Sequence, residues 1–280
     1  MRASRAAAPL RAAVRTVVPE SFRRQARAFL WRLESVWKPR RALQALWLYR
    51  QFHRDLRTYR SLRGAEPIES SDLWPCLFDK TATSPFEPHY FYQDSWAARR
   101  ILATRPAQHV DVGSRVDFVA ILSAAVPIVF LDIRPLAVSL TNLQCTAGSL
   151  LSLPFADASV PSLSCLHVIE HIGLGRYGDP FDPEGTRKAA RELMRVLAPG
   201  GNLFIGTPIG RERVCFNAHR VHSPQTILQY FNGLELVEFS CVVGDGRFVQ
   251  KADPLRTDLE NGGCGLFWFT RRDGHGPTEG

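Results

Sequence analysis

The stretch HVDVGSRVDFVAILSAAVPIVFLD, residues 109–132, decides the fold. A short strand-like segment from His109 to Val112 ends at Gly113. Apolar residues then recur at helical spacing from Phe118 to Ala125, and a second run, almost wholly apolar, extends from Ile128 to Asp132. A strand with one wet face would alternate, so the second run reads as a strand covered on both sides, and the strand-helix-strand order favours a parallel pair. Two such strands joined by a helix place ligands beyond their carboxyl ends. There Gly113 permits close backbone approach, the next helix offers free N–H groups to an anion, and Asp132, about 20 residues on, can accept hydrogen bonds from both ribose hydroxyls.

The alternation continues on both sides of this unit. Tyr92 to Thr104 reads as a preceding helix. After it come a weaker third strand, Leu143 to Ala147, and a fourth, Ser162 to Leu166. Thr186 to Leu197 reads as a helix with Ala189, Leu193 and Val196 on one face, terminated by Pro199-Gly200-Gly201. A fifth strand over Asn202 to Thr207, a helix over Pro224 to Phe231, and strands over Leu234 to Val242 and Gly265 to Thr270 close the domain. The pattern predicts an α/β fold with a mainly parallel central sheet and helices on both faces.

Five ordered blocks between about residues 109 and 210 resemble a known superfamily. They are Asp111-Val112-Gly113; Asp132; Gly148 through Leu153-Pro154-Phe155-Ala156-Asp157-Ala158-Ser159; Leu166-His167-Val168-Ile169-Glu170-His171; and Leu193-Met194-Arg195-Val196-Leu197-Ala198-Pro199-Gly200-Gly201. Together they look like a class I S-adenosylmethionine-dependent methyltransferase, and are similar in particular to the type 11 branch. The stretches His171 to Pro180, Phe216 to Arg220 and Tyr90 to Asp94 further resemble bacterial proteins catalogued as a domain of unknown function.

The resemblance implies a Rossmann-like class I methyltransferase fold that binds S-adenosyl-L-methionine. It puts the cofactor's methionine end over Asp111 and Gly113, its ribose on Asp132, its adenine near Ser149 and Leu150, and His167 along the methionine side. Two departures stand out. Arg115 and Asp117 replace the second and third glycines of the DxGxGxG turn, and Ser149 stands where an acid is expected. Arg115 is available instead to pair with the cofactor carboxylate.

Methyl transfer from a sulfonium needs alignment and, for a hydroxyl acceptor, a general base. Candidates lie on two long loops, since loops of this length in a compact domain tend to be functional. The first, Glu170 to Gly185, carries His171, Arg176, Tyr177, Asp179 and Asp182; the second carries Arg213, Asn217, His219 and Arg220. His171 and His219 are the candidate bases, because imidazole titrates near working pH; the plainer reading of either is a histidine that fixes its loop. Arg176, Tyr177, Asp179, Asn217 and Arg220 are the candidate substrate contacts.

Two competing readings remain. His167 to His171 also satisfies H-x-x-E-H, a zinc-hydrolase pattern that requires a long helix and a distant third ligand; Gly173 and Gly175 follow at once, so no metal is expected. The other is a non-catalytic methyltransferase-fold scaffold at a membrane surface or in a protein assembly.

Charge is unevenly placed. Residues 1 to 64 hold 15 Arg and 1 Lys against Glu20, Glu34 and Asp55, while the remainder holds 19 basic and 24 acidic residues. An acidic domain disfavours nucleic acid as a partner and leaves a small-molecule, glycan or lipid-linked acceptor. The basic arm comprises residues 1 to 18, expected to be disordered and similar in composition to an organelle presequence; a helix from Pro19 through Phe22, Ala26, Phe29, Leu33 and Trp37; an interruption at Pro39; and a second helix through Ala45, Leu48, Phe52, Leu56, Tyr59 and Leu62 to Gly64. Its basic amphipathic face, residues 19 to 63, suits an anionic membrane surface or a protein partner; the plainer reading has the apolar faces covering the main domain. A connector over 65–89, a methyltransferase-like domain over 90–272 and a disordered tail over 273–280 complete the expected organisation. Six cysteines without a CxxC pair and no membrane-spanning apolar stretch point to a reduced, cytoplasmic protein, peripheral at most to the inner face of a membrane.

Overall fold

A computed structural model describes residues 39–256, 259 and 262–272. The expected helix from Pro19 to Trp37, the disordered start and the disordered tail lie outside the described residues. The chain divides into two compact units, Met1–Pro85 and Phe86–Gly280.

In the first unit, helix α1 spans Pro39–Arg60. Pro39 is its opening residue, a position where the missing N–H costs nothing and the fixed φ suits the helix. Ala45, Leu48, Phe52 and Leu56 are half-buried, at the expected helical spacing. Leu43, Leu46 and Trp47 on other faces remain largely exposed. Arg57 and Arg60 in the last turn suit the negative end of the helix dipole. The connector that follows is irregular apart from a 3-10 turn at Ser70–Asp72.

The second unit begins with α2, Pro88–Thr104. It starts ahead of the expected Tyr92 because Pro88 occupies the first turn and the Glu87 carboxylate caps the Tyr90 N–H at 2.8 Å. Then follow β1 (His109–Val112), α3 (Val116–Leu122), β2 (Ile128–Asp132), β3 (Leu143–Ala147), β4 (Val160–Leu166), α4 (Gly185–Val196) and β5 (Leu197–Ile209). The remainder comprises β6 (Arg213–Cys215), β7 (His219–Val221), α5 (Pro224–Tyr230), β8 (Glu235–Val243), β9 (Phe248–Val249) and β10 (Gly263–Thr270).

Eight strands form one sheet in the order β3-β2-β1-β4-β5-β10-β8-β9. The five strands from β3 to β5 run parallel, and β10 enters antiparallel between β5 and β8. Side chains alternate between the two faces. Val110, Val112, Val129 and Leu131 pack with Ala189 and Leu193 of α4 and Ile227 of α5, while Ile128 and Phe130 pack with Trp96 and Ile101 of α2 and Phe118 of α3. Helices thus cover both faces, which is why β2 carries no polar residue before Asp132.

Two local expectations change. Pro199-Gly200-Gly201 does end α4, but inside β5 it also forms a bulge: Val160 pairs with Leu197 and Ser162 next pairs with Asn202. The second candidate loop is partly ordered, since β6 and β7 pair as a hairpin with Arg213 opposite Val221 and Cys215 opposite His219.

A buried polar bridge crosses the sheet behind the strand tips. His109 contacts Ser162 Oγ through Nδ1 and Ser164 Oγ through Nε2, both at 2.8 Å. Burial lowers its pKa from 6.5 to about 3. Its folded pKa lies below its unfolded one, so its contribution to stability is complete above pH 6.5 and is lost as pH falls toward 3. His109→Gln, which keeps a donor and an acceptor, is expected to spare the protein about 3 kcal/mol of the stability that the wild type loses between pH 7 and 4. Urea denaturation at the two pH values checks this; equal losses in both proteins would refute it.

Candidate active site

The tips of β1 to β4 build a cavity of about 740 Å³ including its open mouth. Gly113 turns the chain after β1 with φ +69°, and its N–H donates to Leu131 O at 2.8 Å. A Cβ there would stand 3.2 Å from both Val168 methyl carbons and 3.7 Å from Asp132 Oδ2. Glycine therefore keeps open the space in front of that carboxylate. Asp132 Oδ1 accepts the Arg134 N–H at 2.7 Å, an anchor that fixes the carboxylate and leaves Oδ2 on the Gly113 side. Opposite lie Ile133, Leu150 and Leu151, with Ser149 beside them; Ser149 Oγ accepts the Leu151 N–H at 3.2 Å.

The block from Leu153 to Asp157 holds this floor rather than lining it throughout. Arg195 of α4 donates to Leu153 O (3.1 Å), Phe155 O (3.0 Å) and Asp157 Oδ1 (2.5 Å), and Glu192 accepts the Leu153 N–H at 2.7 Å. The sequence block and the helix that follows it are thus parts of one clamp.

Asp111 departs from expectation. It is completely buried and lines neither cavity. Its oxygens accept from the Ser114 N–H at 3.1 Å, the Ser114 hydroxyl at 2.7 Å and the Ser164 hydroxyl. Ser114 Oγ in turn accepts the Leu166 N–H at 3.1 Å. Asp111 therefore ties the β1 turn to β4 from behind. Burial raises its pKa to about 6, against the pull of those hydrogen bonds.

A second cavity of about 1060 Å³ adjoins the first, and both are lined by Gly113, His167, His171 and Tyr177. Arg115 lines only this second cavity. Its guanidinium lies 4.9 Å from the centre of the Tyr90 ring, pairs with Asp117 at 3.0 Å and approaches Asp94 at 4.0 Å. Arg176, Arg213 and His219 line the far side.

At the junction sits a buried polar chain. His167, in the left-handed region at φ 57°, contacts Glu170 Oε1 through Nδ1 at 2.8 Å and Cys264 Sγ through Nε2 at 3.4 Å. Burial opposes charging of His167, but the Cys264 sulfur and the Glu170 carboxylate outweigh it and raise its pKa well above the usual value. Glu170 is buried too, and its bond to His167 keeps it ionised, with a pKa below the ordinary range. His171 Nδ1 lies 2.6 Å from Ala218 O. A carbonyl only accepts, and at 2.6 Å it is nearer to Nδ1 than the Arg176 Nη1 donor at 3.3 Å, so Nδ1 carries the proton and Nε2 the lone pair, 3.7 Å from Glu170 Oε1. Burial lowers the His171 pKa, Glu170 opposing, which keeps the ring neutral near pH 7. His219 is likewise lowered by burial, and its ring centre is 6.4 Å from that of His171.

Other candidates hold the loop. Arg220 is buried and donates to Ile172 O and, at 2.9 Å, to Asp182 O, so it is a clamp and touches neither cavity. Asp179 accepts the Gly173 N–H at 2.6 Å and the Tyr177 N–H at 3.3 Å, while still lining the first cavity. Asn217 is exposed and lines neither. Tyr177 has Arg134 at 4.3 Å and Arg176 at 5.0 Å from its ring centre. The zinc pattern lacks its helix, for Ile169–His171 is a single 3-10 turn; among the described residues no three His, Cys, Asp or Glu side chains group as metal ligands. Sequence reasoning missed Arg134, Glu170 and Cys264. The first two were legible as neighbours of Asp132 and His171, whereas nothing local marked a cysteine on the last strand.

Strand order, switch point and cavity coincide. The fold is that of Rossmann-like methyltransferases. A family model described as a Caenorhabditis protein of unknown function, DUF268, matches residues 158–248. That is about a third of the chain; it agrees with a resemblance to a domain of unknown function, but not specifically with a bacterial branch. No curated protein matches the chain. Among solved structures, the N-methyltransferase NodS of Bradyrhizobium japonicum in complex with S-adenosyl-L-homocysteine is 17% identical over 70% of this chain and 91% of its own, with a TM-score of 0.49. The [4+2]-cyclase SpnF is 14% identical over 65% and 81%, at 0.47. A TehB-like SAM-dependent methyltransferase of Corynebacterium glutamicum is 17% identical over 63% and 87%, at 0.43. These likenesses are distant, and the fold stands on the topology above.

Proposed function

We propose that this chain is an S-adenosylmethionine-dependent methyltransferase acting on a small-molecule, glycan or lipid-linked acceptor. The observation that carries this reading is Asp132 Oδ2, aimed across Gly113 into a cavity that communicates with a second one at His167, His171 and Tyr177. The residues fit the cofactor. Asp132 would hold the ribose, Leu150 and Leu151 the adenine edge with Ser149, and Gly113 and His167 the methionine arm as it passes toward the second cavity. When bound, the cofactor supplies an activated methyl on a sulfonium.

The chain's own residues supply the rest. His171, neutral and with its Nδ1 proton on Ala218 O, presents Nε2 as the base at the junction; a proton taken there is stabilised by ionised Glu170. His219 lines only the second cavity, which makes it the less direct candidate. Tyr177 and Asp179 close the loop over the first cavity and limit water.

The second reading, a non-catalytic scaffold, is favoured by one observation: Arg115, standing where the turn would carry glycine, points to the second cavity rather than the first. In either case α1, with exposed Leu43, Leu46 and Trp47 beside its arginines, would serve as the contact with a partner or an anionic surface. No described helix is long and apolar enough to cross a membrane. Calorimetric titration of the full chain with S-adenosylhomocysteine divides the readings: micromolar, one-to-one binding is expected, and absence of heat from folded protein at high micromolar ligand would leave only the scaffold.

A further inference from the structure

The second cavity has a charge pattern that the cofactor does not explain. Arg176 and Arg213 line it, and neither has a carboxylate partner among the described residues: Arg176 donates to Ala218 O at 3.1 Å and Arg213 to Arg211 O at 2.9 Å. Their opposite number at the near rim, Arg115, is already neutralised by Asp117. Among the described residues the only carboxylate in the lining is Glu170, whose side chain is 1% exposed and is bonded to His167. Burial lowers the pKa of His219, Glu170 opposes it, and His171, Arg213 and Arg176 add to the lowering, which places both guanidiniums near this ring. Among the described residues the lining thus offers two guanidiniums without a carboxylate partner and no accessible carboxylate, which makes its potential positive.

We propose that the acceptor carries a phosphate or carboxylate, held by Arg176 and Arg213 beside His219, with its reacting hydroxyl or amine directed at His171. This rests on the methyl-transfer reading for the word acceptor, but the anion site stands on the geometry alone. Guanidinium matches both oxyanions by paired, parallel N–H donors, so each arginine fixes orientation as well as charge. Their carbonyl contacts use one nitrogen each and leave the remaining donors to the ligand. An acceptor gripped at its charged end would present its other end toward the shared wall of the two cavities, where a methyl must cross.

The test titrates the full chain, saturated with S-adenosylhomocysteine, with inorganic pyrophosphate and separately with succinate. The variants are Arg176→Gln, Arg213→Gln and the distant control Arg247→Gln, whose partner is Asp245. Each site variant is expected to weaken anion binding by about tenfold or more, the size of one lost charge-assisted contact. The control should change it less than about twofold, and S-adenosylhomocysteine affinity should stay within about twofold throughout. Preference for pyrophosphate assigns a phosphate and preference for succinate a carboxylate. No anion binding by wild type, or binding that both site variants retain, would overturn the proposal. Absence of S-adenosylhomocysteine binding with arginine-dependent anion binding intact would instead remove the methyl-donor reading and leave the anion site.

Discussion

Asp132→Ala is expected to weaken S-adenosylhomocysteine binding by about a hundredfold or more while leaving the fold intact. Each hydrogen bond from a ribose hydroxyl to a carboxylate contributes about 1.5 kcal/mol or more when water is excluded, and two are lost together. The side chain sits at the end of β2 and is partly exposed; in the fold itself it accepts the Arg134 N–H and pairs loosely with the Arg134 guanidinium at 3.6 Å. Removing it should therefore cost only about 1 kcal/mol of stability. Asp132→Asn retains an acceptor for Arg134 and should fall between wild type and alanine in affinity. Calorimetry together with urea denaturation measures both quantities. Unchanged affinity in Asp132→Ala would remove the ribose assignment, and with it the strongest support for an enzyme.

The second large effect is on the loop over the cavities. Gly173 has φ +82°, and a Cβ there would lie 2.1 Å from Asp182 O, a backbone atom already tied to the same turn by the Asp182 N–H donating to Gly173 O at 2.9 Å. Arg220 holds that carbonyl from the other side, so the clash has no easy relief. Gly173→Ala should destabilise the domain by about 3 kcal/mol, combining left-handed strain with overpacking. Gly178, in the same loop at φ +86°, has nothing within 4 Å of the corresponding position. Gly178→Ala carries the strain without the clash and should cost about 1 kcal/mol. Urea midpoints of the two variants provide the comparison, and similar losses would refute a cost from the Asp182 carbonyl.

The loop also shows why the two histidine candidates differ in what they can do. His171 and His219 are equally plausible on residue type, and both have pKa values lowered by burial. Only His171 has one ring nitrogen fixed by a carbonyl, the other near an ionised carboxylate, and a place on the lining of both cavities. Those are tertiary facts, since Ala218 lies 47 residues further along the chain.

The sequence by itself determined the architecture. The apolar run from Ile128 to Leu131 marks a strand covered on two sides, its alternation with helices marks a parallel sheet, and Gly113 and Asp132 fall at strand tips because the strand patterns end there. Local signals of this kind survive in a single chain because they are set by residues a few positions apart. What only the tertiary structure decided is the direction in which polar groups are spent. Asp111, one residue before the end of β1, and Asp132, at the end of β2, both lie near strand tips, yet Asp111 is consumed by Ser114 and Ser164 behind the turn while Asp132 keeps an oxygen toward the cavity. Arg220 and Arg213 share one hairpin, yet one is buried as a clamp and the other lines the second cavity with only the Arg211 carbonyl as its partner. The partners that draw these side chains inward or leave them free come from strands and loops distant in sequence, and burial changes the cost of a charge far more than any neighbouring residue does.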